Sequence, residues 1–352
     1  MAADALQSAV RRLAFGESLS ANEAADAFGL IMAGEASATQ VAALLMALRV
    51  KGETADEVAG AARAMRAAMV TIEAEERESL VDTCGTGGGA VTTFNISTAA
   101  ALLAAGAGVR IAKHGNRSFT SRSGSADVLE ALGVPLDASA TVMESVLRRA
   151  GVVFMFAPTL HPAMRHVGPV RRELGIPTVM NIVGPLANPA GAGRQVVGVA
   201  DRQRMPLLAG ALAALGSVHA LVVHGEPGMD EVSPVGPTHV CEVREGVVKE
   251  WTIDPGQLGF DSIATGDLAG GDPTTNARII EAVLGGEGPA GAQAAVLLNA
   301  AAAIYVSGTV STLSEALEMA REALGSGAGK RALERLRQAY AESGMWDGRW
   351  ET

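Results

Sequence analysis

The chain reads LVDTCGTGGGAVTTFNISTAAALLAAG over residues 80–106, and this stretch decides the fold class. A short apolar strand at residues 80–81 leads into a glycine turn at residues 85–89, and the run NIST at residues 95–98 opens an alanine-rich helix. Glycines let backbone N–H groups approach an anion closely, and a helix start adds unpaired donors. The stretch therefore predicts a strand, a phosphate-binding turn and a helix, although a plain tight turn with an ordinary helix cap fits the same residues equally well.

Beyond this unit the chain alternates between apolar strands and helical stretches. Such alternation is typical of a largely parallel sheet covered by helices on both faces, which binds ligands at the carboxyl ends of its strands. Residues 238–253 alternate in polarity around Glu245-Gly246 and predict a β-hairpin, and the chain returns to helix from about Pro273. The predicted strands are residues 109–112, 152–156, 195–199 and 220–223.

Residues 4–70 carry no strand signal and predict consecutive short helices. Apolar residues recur there at helical spacing, with polar helix starts at Ser20, Thr39 and Thr54. A charged connector at residues 73–79 precedes the alternating region. We therefore expect an α/β protein with a small all-helical domain over residues 1–72 and a larger α/β domain, with a mostly parallel central sheet, over residues 73–352.

Composition excludes several classes of protein. A chain of 352 residues with 48% hydrophobic content can bury a large core, and a net charge of −10 argues against a general nucleic-acid binder, which needs a basic surface. The uncharged stretches 84–109 and 288–314 contain polar and many small residues, so they predict buried helices rather than membrane spans. With two cysteines and no secretory signal at the N-terminus, we expect a cytoplasmic protein.

A second polar cluster follows the next predicted strand. It reads KHGNRS over residues 113–118 and continues through Ser121 to GSAD at residues 124–127. Cations, an amide and hydroxyls suit contacts to a polyanion, while a solvated loop would have the same composition. Its position directly after a strand favours a second set of phosphate contacts.

Two acidic residues, Asp230 and Glu231, stand side by side in a glycine-rich loop after the strand at residues 219–223. Adjacent carboxylates are usually a solvated surface, but they also hold Mg²⁺ when the metal shares its coordination with waters and substrate phosphates. Two phosphate-type motifs elsewhere in the chain favour the metal site.

A basic helix start provides the candidate for binding an acidic acceptor. HPAM at residues 161–164 precedes Arg171 in VRRELG, and an arginine fork pairs with a carboxylate in bidentate geometry. An ordinary surface arginine is the alternative, and the neighbouring Arg172 shows how little the residue type alone decides.

Seven runs occur in order along nearly the whole chain: GTGG, FNISTAA, KHGNRSFTSRSGSADVLEALG, HPAM, VRRELG, NIVGPLANPAGA and HGEPGMDEVSP. Together they resemble the anthranilate phosphoribosyltransferases. The resemblance implies the nucleoside phosphorylase/phosphoribosyltransferase class fold, with residues from about 165 to 185 joining the helical domain and a homodimer formed through the helical domains. It also implies transfer of the phosphoribosyl group of 5-phosphoribosyl 1-pyrophosphate to anthranilate in tryptophan biosynthesis, with two donor-bound Mg²⁺ ions and with neither nucleic acid nor membrane as a partner.

The resemblance also implies roles for individual residues. Donor contacts are implied for Gly85, Gly88, Gly89, Thr93, Asn95, Ser97, Thr98, Lys113, Ser121 and Ser125. Magnesium ligands are implied at Ser97, Asp230 and Glu231. Anthranilate contacts are implied for Gly85, Asn116, Arg171, His114 and His161. No covalent nucleophile is implied, and Cys84 has no base partner in the sequence.

Two positions depart from the family pattern. Gly89 stands where the cradle commonly reads GTGGD, and Pro177 stands where LGxRT commonly has arginine. The first would change how the magnesium-bound donor is held, while the residues assigned to anthranilate and to the metal are retained.

Two rival functions remain to be weighed. A nucleoside phosphorylase would share the general fold, but the HPAM, VRRELG and GPLANP runs speak against it. A non-catalytic nucleic-acid-binding relative is disfavoured by the acidic net charge and by the retained Asp230-Glu231 pair.

Overall fold

The computed structural model describes residues 2–118, 122–261 and 263–345. The helices are α1 (Ala2–Ala14), α2 (Ala21–Met32), α3 (Ala38–Lys51), α4 (Ala55–Ala68), α5 (Ile96–Gly106), α6 (Ser125–Ala131), α7 (Ala140–Ala150), α8 (Ala157–Leu160), α9 (Gly168–Leu174), α10 (Met180–Val183), α11 (Met205–Ala214), α12 (Pro273–Leu284), α13 (Ala290–Ser307), α14 (Leu313–Gly325) and α15 (Ala328–Tyr340). The strands are β1 (Val81–Gly85), β2 (Ile111–Gly115), β3 (Val152–Phe156), β4 (Arg194–Gly198), β5 (His219–Gly225), β6 (Thr238–Arg244) and β7 (Val247–Ile253).

The described strands form one seven-stranded sheet in the order β3-β2-β1-β4-β5-β6-β7. Strands β1 to β5 are parallel, and the hairpin β6–β7 adds two antiparallel strands at one edge. Since β2 and β4 lie on opposite sides of β1, the chain reverses its direction of travel across the sheet at β1 and β4. A parallel sheet leaves its ligand crevice at such a switch point, outside the carboxyl ends of the strands.

The N-terminal helices begin at side chains that cap them. The side chains of Ser20, Ser37 and Thr54 each accept a hydrogen bond from the backbone N–H of the third helical residue. The side chain of that third residue in turn accepts a hydrogen bond from the backbone N–H of the cap. The prediction of a helix start at Thr39 was wrong, because Ser37 provides this box and Thr39 lies inside α3.

Two clusters of buried apolar side chains stabilise the molecule. One surrounds α5, α13 and α15, and the other joins the N-terminal helices to α11, α10 and the facing side of β4 and β5. Alanine-rich α5 and α13 lie in contact, and a side chain at Gly106 would meet the α15 backbone at 2.6 Å. Helix α13 is long and apolar enough to cross a membrane, yet 78% of it is buried inside the fold, as predicted for a core helix.

The strands lie where the sequence predicted them, but two of them run further towards the site. Strand β1 was predicted at residues 80–81 and extends to Gly85, so Asp82, Thr83 and the first residue of the glycine turn lie on the sheet. Strand β2 runs to Gly115 rather than ending at residue 112, so Lys113 and His114 lie on the sheet and not in the loop that follows it. Their backbones pair with Phe154 and Met155 of β3, and both side chains are buried. Polar side chains hid this extension because they interrupt the apolar run.

Candidate active site

The glycine turn lies at the switch point of the sheet and packs closely against Asp230, the first residue of the acidic pair. Gly87 and Gly88 adopt φ angles of 68° and 83°, a left-handed conformation that favours glycine. The Gly87 N–H donates to Asp230 Oδ2 at 3.0 Å, and a Cβ at Gly85 would lie 3.0 Å from the same oxygen. The backbone N–H groups of Gly88 and Gly89 have no partner among the described residues, so they are available to an anion.

The start of α5 contacts the second acidic residue. The Ser97 N–H donates to Glu231 Oε1 at 3.1 Å, while Ser97 Oγ lies 3.4 Å from Lys113 Nζ. The Thr98 hydroxyl faces inward, where it is buried and without a partner in the described part of the chain. Thr93 pairs with Ala269 in an isolated bridge beside this helix start.

Asn95 is tied into the protein framework. Its amide oxygen accepts bonds from Ser123 Oγ at 3.1 Å and from Asn276 Nδ2 at 2.9 Å, and its amide nitrogen donates to the Ser123 carbonyl at 3.0 Å. The side chain therefore joins α5 to the loop before α6 and to α12. A donor contact from Asn95 remains a prediction that its one further N–H would have to make.

The negative charges of Asp230 and Glu231 are only partly balanced by nearby positive charge, which comes from Lys113. Loss of solvent at its half-buried position, followed by the charge of Asp230, raises the pKa of Glu231 to about 8, and desolvation also raises the pKa of Asp230. A cation would relieve both effects, and carboxylate and hydroxyl oxygens are the ligands that Mg²⁺ prefers. The described residues contain no group of three or more His, Cys, Asp or Glu side chains suited to a metal, so an ion here would share its coordination with Ser97, water or substrate.

Lys113 is the cation beside this pair. Its ammonium group donates to the carbonyl and hydroxyl oxygens of Thr83, and burial lowers its pKa against the opposing charges of Asp82 and Glu231. Only 4% of Lys113 is exposed, so its ammonium group lies inside the protein, between Thr83 of β1 and Ser97 of α5.

Two predicted acceptor residues form a buried pair. His114 Nε2 lies 3.1 Å from His161 Nε2, so one ring donates to the other. Burial and the neighbouring ring lower the pKa of His114 to about 3, and burial lowers the pKa of His161 to about 4. Both rings are therefore neutral at neutral pH, and they share one N–H between them.

Arg171 is a half-buried cation without an anion. Its side chain makes no hydrogen bond or ion pair with any described residue, and burial lowers its pKa. Helix α9, which carries it, contacts α3 of the helical bundle. No described contact joins Arg171 to the other predicted site residues, whereas Ser125 Oγ bonds the Asn116 carbonyl at 3.3 Å. Ser121 lies outside the described residues.

Two buried residues that the sequence analysis did not single out connect these motifs. The Asp82 carboxylate accepts the His114 backbone N–H at 3.0 Å and the Asn188 amide at 2.8 Å. Asn188 also donates to the Ala112 carbonyl at 2.9 Å. Desolvation raises the pKa of Asp82 to about 6. The available signal was a polar residue inside an otherwise apolar strand, which requires a buried partner.

Two family models together match most of the chain. They are the helical bundle domain of the glycosyl transferase family, over residues 7–69, and its a/b domain, over residues 77–330. The chain is 52% identical to the anthranilate phosphoribosyltransferase of Rubrobacter xylanophilus, covering 94% of this chain and 96% of that protein. It is 50% identical to that of Anaeromyxobacter dehalogenans, covering 96% and 98%.

Solved structures agree with these matches. The anthranilate phosphoribosyltransferase of Thermus thermophilus superposes with a TM-score of 0.89 at 43% identity, covering 95% of this chain and 99% of that chain. The Saccharomyces cerevisiae protein in complex with PRPP and Mg superposes with a TM-score of 0.85 at 30% identity, covering 96% and 98%. The predicted fold class, a helical bundle with an α/β domain and a mostly parallel sheet, is confirmed.

Proposed function

The chain belongs to the anthranilate phosphoribosyltransferase family, and from this premise we propose how its own residues carry out the reaction. The protein transfers the phosphoribosyl group of 5-phosphoribosyl 1-pyrophosphate to anthranilate in tryptophan biosynthesis. One observation carries the proposed site: Asp230 accepts the N–H of Gly87 in the glycine turn, and Glu231 accepts the N–H of Ser97 at the start of α5. Three distant segments thus meet at one end of the sheet.

The donor would lie across this meeting point. The free N–H groups of Gly88 and Gly89 would bind the pyrophosphate, and Gly85, Thr93, Asn95, Thr98, Ser121 and Ser125 stay predicted contacts around it. Lys113 would contribute its charge from its buried position beside Ser97. Ser97, Asp230 and Glu231 would hold Mg²⁺, with two ions bound together with the donor. When bound, Mg²⁺ neutralises charge that develops on the leaving pyrophosphate.

The acceptor would approach from the side of the helical bundle. Arg171 would pair with the anthranilate carboxylate, since it is a half-buried cation with no anion among the described residues. Asn116 would bind the acceptor beside it, and the neutral His114–His161 pair would face the ring. The amine nitrogen then bonds to the anomeric carbon while the bond from that carbon to pyrophosphate breaks, and the nitrogen gives up one proton to solvent. The protein's task is positioning and charge stabilisation.

An assay with two arginine variants tests this reading. The protein is incubated with 5-phosphoribosyl 1-pyrophosphate, Mg²⁺ and anthranilate, and the loss of anthranilate fluorescence is followed. Arg171→Ala should raise the KM for anthranilate by about tenfold or more and leave the KM for the donor within about twofold, since it removes a charge-assisted pair. The exposed neighbour Arg172→Ala is the matched control and should change neither.

Failure of the pieces can be told apart. Absence of fluorescence loss at high protein concentration contradicts the whole site, whereas an unchanged anthranilate KM in Arg171→Ala contradicts only the acceptor assignment. Full activity after removal of Mg²⁺ by a chelator, or in Asp230→Asn with Glu231→Gln, contradicts the metal assignment.

We extend the proposal to organisation and location. The domain boundary near residue 72 and the homodimer through the helical bundle are proposed, supported by Phe15 and Val50, which are 81% and 79% exposed on the bundle. Light scattering should give twice the chain mass of 35.8 kDa, and a monomer contradicts the dimer. Cys84 and Cys241 are both free, which agrees with a cytoplasmic location.

A further inference from the structure

The two described ends of the loop that connects β2 to α6, residues 116–118 and 122–124, lie against each other. At its far end, a Cβ on Gly124 would lie 2.3 Å from the Ser118 nitrogen and 2.7 Å from the Asn116 carbonyl oxygen. These separations are far below contact distance, so only glycine fits and the two described ends of the loop touch. The loop matters because Asn116 at one end is a proposed anthranilate contact, and Ser125 just beyond the other end is a proposed donor contact.

One carboxylate holds both ends of the loop. Asp127 Oδ2 accepts the Ser118 N–H at 3.1 Å and the Gly124 N–H at 2.8 Å. Asp127 Oδ1 accepts from Arg117 Nη1 at 2.8 Å. The Asp127 side chain is 18% exposed, and although partial burial opposes its charge, the bonds from Arg117, Gly124 and Ser118 lower its pKa.

Arg117 serves this carboxylate rather than a substrate. Glu130 accepts two bonds from its guanidinium group, at 2.8 and 3.0 Å, and the group lies 5.8 Å from the Phe156 ring centroid. The KHGNR motif places this cation beside a phosphate-type cluster, but its guanidinium group forms ion pairs with Asp127 and Glu130. We call Arg117, Asp127 and Glu130 the loop clasp.

The clasp brings the two proposed subsites together. The Asn116 carbonyl accepts the Ala126 N–H at 3.2 Å and the Ser125 hydroxyl at 3.3 Å, so Asn116 and Ser125 are bonded directly. We propose that Asp127 is a positioning residue for the transfer, which holds the two described ends of the loop together so that the acceptor contact at Asn116 and the donor contact at Ser125 keep one relative position. The proposal rests on the proposed roles of those two residues.

Asp127→Asn is the central variant. The amide keeps one oxygen for the Ser118 and Gly124 N–H groups but turns its NH₂ group towards Arg117, so the loop should loosen without a cavity forming. The KM values for anthranilate and for the donor should rise together, each by about tenfold, because a charge-assisted bond is lost. Glu130→Gln weakens the more exposed of the two ion pairs of Arg117. It should raise the KM values for both substrates by a smaller factor, about threefold.

Asn116→Ala and Ser125→Ala separate the clasp from the subsites. The first should raise mainly the KM for anthranilate and the second mainly the KM for the donor, whereas a clasp variant should move both. Glu318→Gln is the matched control, since Arg321 there pairs with Glu318 at 2.6 Å and lies 5.4 Å from the Phe260 ring centroid. It should leave both KM values unchanged.

Each outcome decides one question. If Asp127→Asn and Glu130→Gln lower only the melting temperature and leave both KM values within about twofold, the clasp is structural and the proposal is overturned. If Asn116→Ala and Ser125→Ala leave both KM values unchanged, the proposed subsite roles fail instead, and the coupling fails with them. If Asp127→Asn does not fold, the joint rise in Glu130→Gln decides for or against the clasp.

Discussion

Gly89 is the residue at which the glycine turn departs from the family pattern given in the sequence analysis, and its surroundings show what a side chain there would contact. A Cβ would lie 3.0 Å from Asp230 Oδ1 and 3.1 Å from the Gly228 carbonyl oxygen. Its φ angle is not left-handed, so the backbone accepts other residues. The absent side chain therefore changes the charge beside Asp230 and not the shape of the turn.

We predict that Gly89→Asp lowers the Mg²⁺ concentration for half-maximal activity by about threefold, because a third carboxylate attracts the cation at close range. Gly89→Ala is the control, since it adds the same Cβ without the charge. Measuring initial rates against Mg²⁺ at saturating donor separates the two variants. An identical Mg²⁺ dependence in both would show that any effect comes from crowding of Asp230.

For individual residues of the site, some roles could be predicted from the sequence and others could not. Asp230, Glu231 and the glycine turn follow apolar strands, so their chemistry could be predicted from residue type and order. Asp82 and Asn188 could not be paired, because they are 106 positions apart and only the fold makes them neighbours. The isolation of Arg171 from any described anion was equally hidden, since a surface arginine has the same sequence signal.

At the scale of the element, the capping boxes of the bundle helices differ in burial and in the further contacts that their side chains make. The box of α4 pairs Thr54 with Glu57, whose side chain is fully buried. Glu57 also accepts the Leu19 N–H at 2.9 Å and pairs with Lys51 at 3.0 Å. This one carboxylate therefore ties the end of α3 and the loop before α2 to the start of α4.

We predict that Glu57→Gln lowers the free energy of unfolding by about 3 kcal/mol, because it leaves Lys51 without its partner in a buried position. Ser37→Ala, which removes an exposed cap of the same kind, should cost about 1 kcal/mol. Glu17→Gln, at an exposed ion pair with Arg12, should cost the least of the three. Urea unfolding of the three variants checks the order, and equal losses would contradict the role given to Glu57.

Strand ends were the elements hardest to predict. Residues 152–156 were predicted as they are found, since VVFMF is apolar throughout. The end of β2 was missed, because Lys113 and His114 look like loop residues until Asp82 and Thr83 supply buried partners for them. Polar residues at the carboxyl ends of strands are the ones that build the site, so prediction from polarity alone fails there.

At the scale of the molecule, the parallel sheet could be predicted but the order of its strands could not. Alternation of strand and helix fixes the parallel arrangement, whereas the reversal at β1 and β4 depends on which face each helix covers. That reversal places the glycine turn and the loop after β5 at the same end of the sheet, and the Gly225–Met229 bridge holds the latter.

The His114–His161 pair predicts how the stability of the whole molecule depends on pH. In the folded protein the pKa is about 3 for His114 and about 4 for His161, and both lie below the ordinary value of 6.5. As the pH falls below 6.5, the unfolded chain takes up protons that the folded chain does not, so stability is lost on the acid side, with a slope of about 1.4 kcal/mol per pH unit for each proton. The raised pKa values of Asp82 and Glu231 act in the opposite direction, because the folded protein binds their protons more tightly. The contribution of the two rings is therefore measured as the difference in pH dependence between the native protein and a variant without them.

We expect the double variant His114→Asn with His161→Asn to lose less free energy of unfolding than the native protein between pH 6.5 and pH 4, measured by urea unfolding without substrates. Parallel curves for the two proteins over that range would show that the two rings are not kept neutral by the fold.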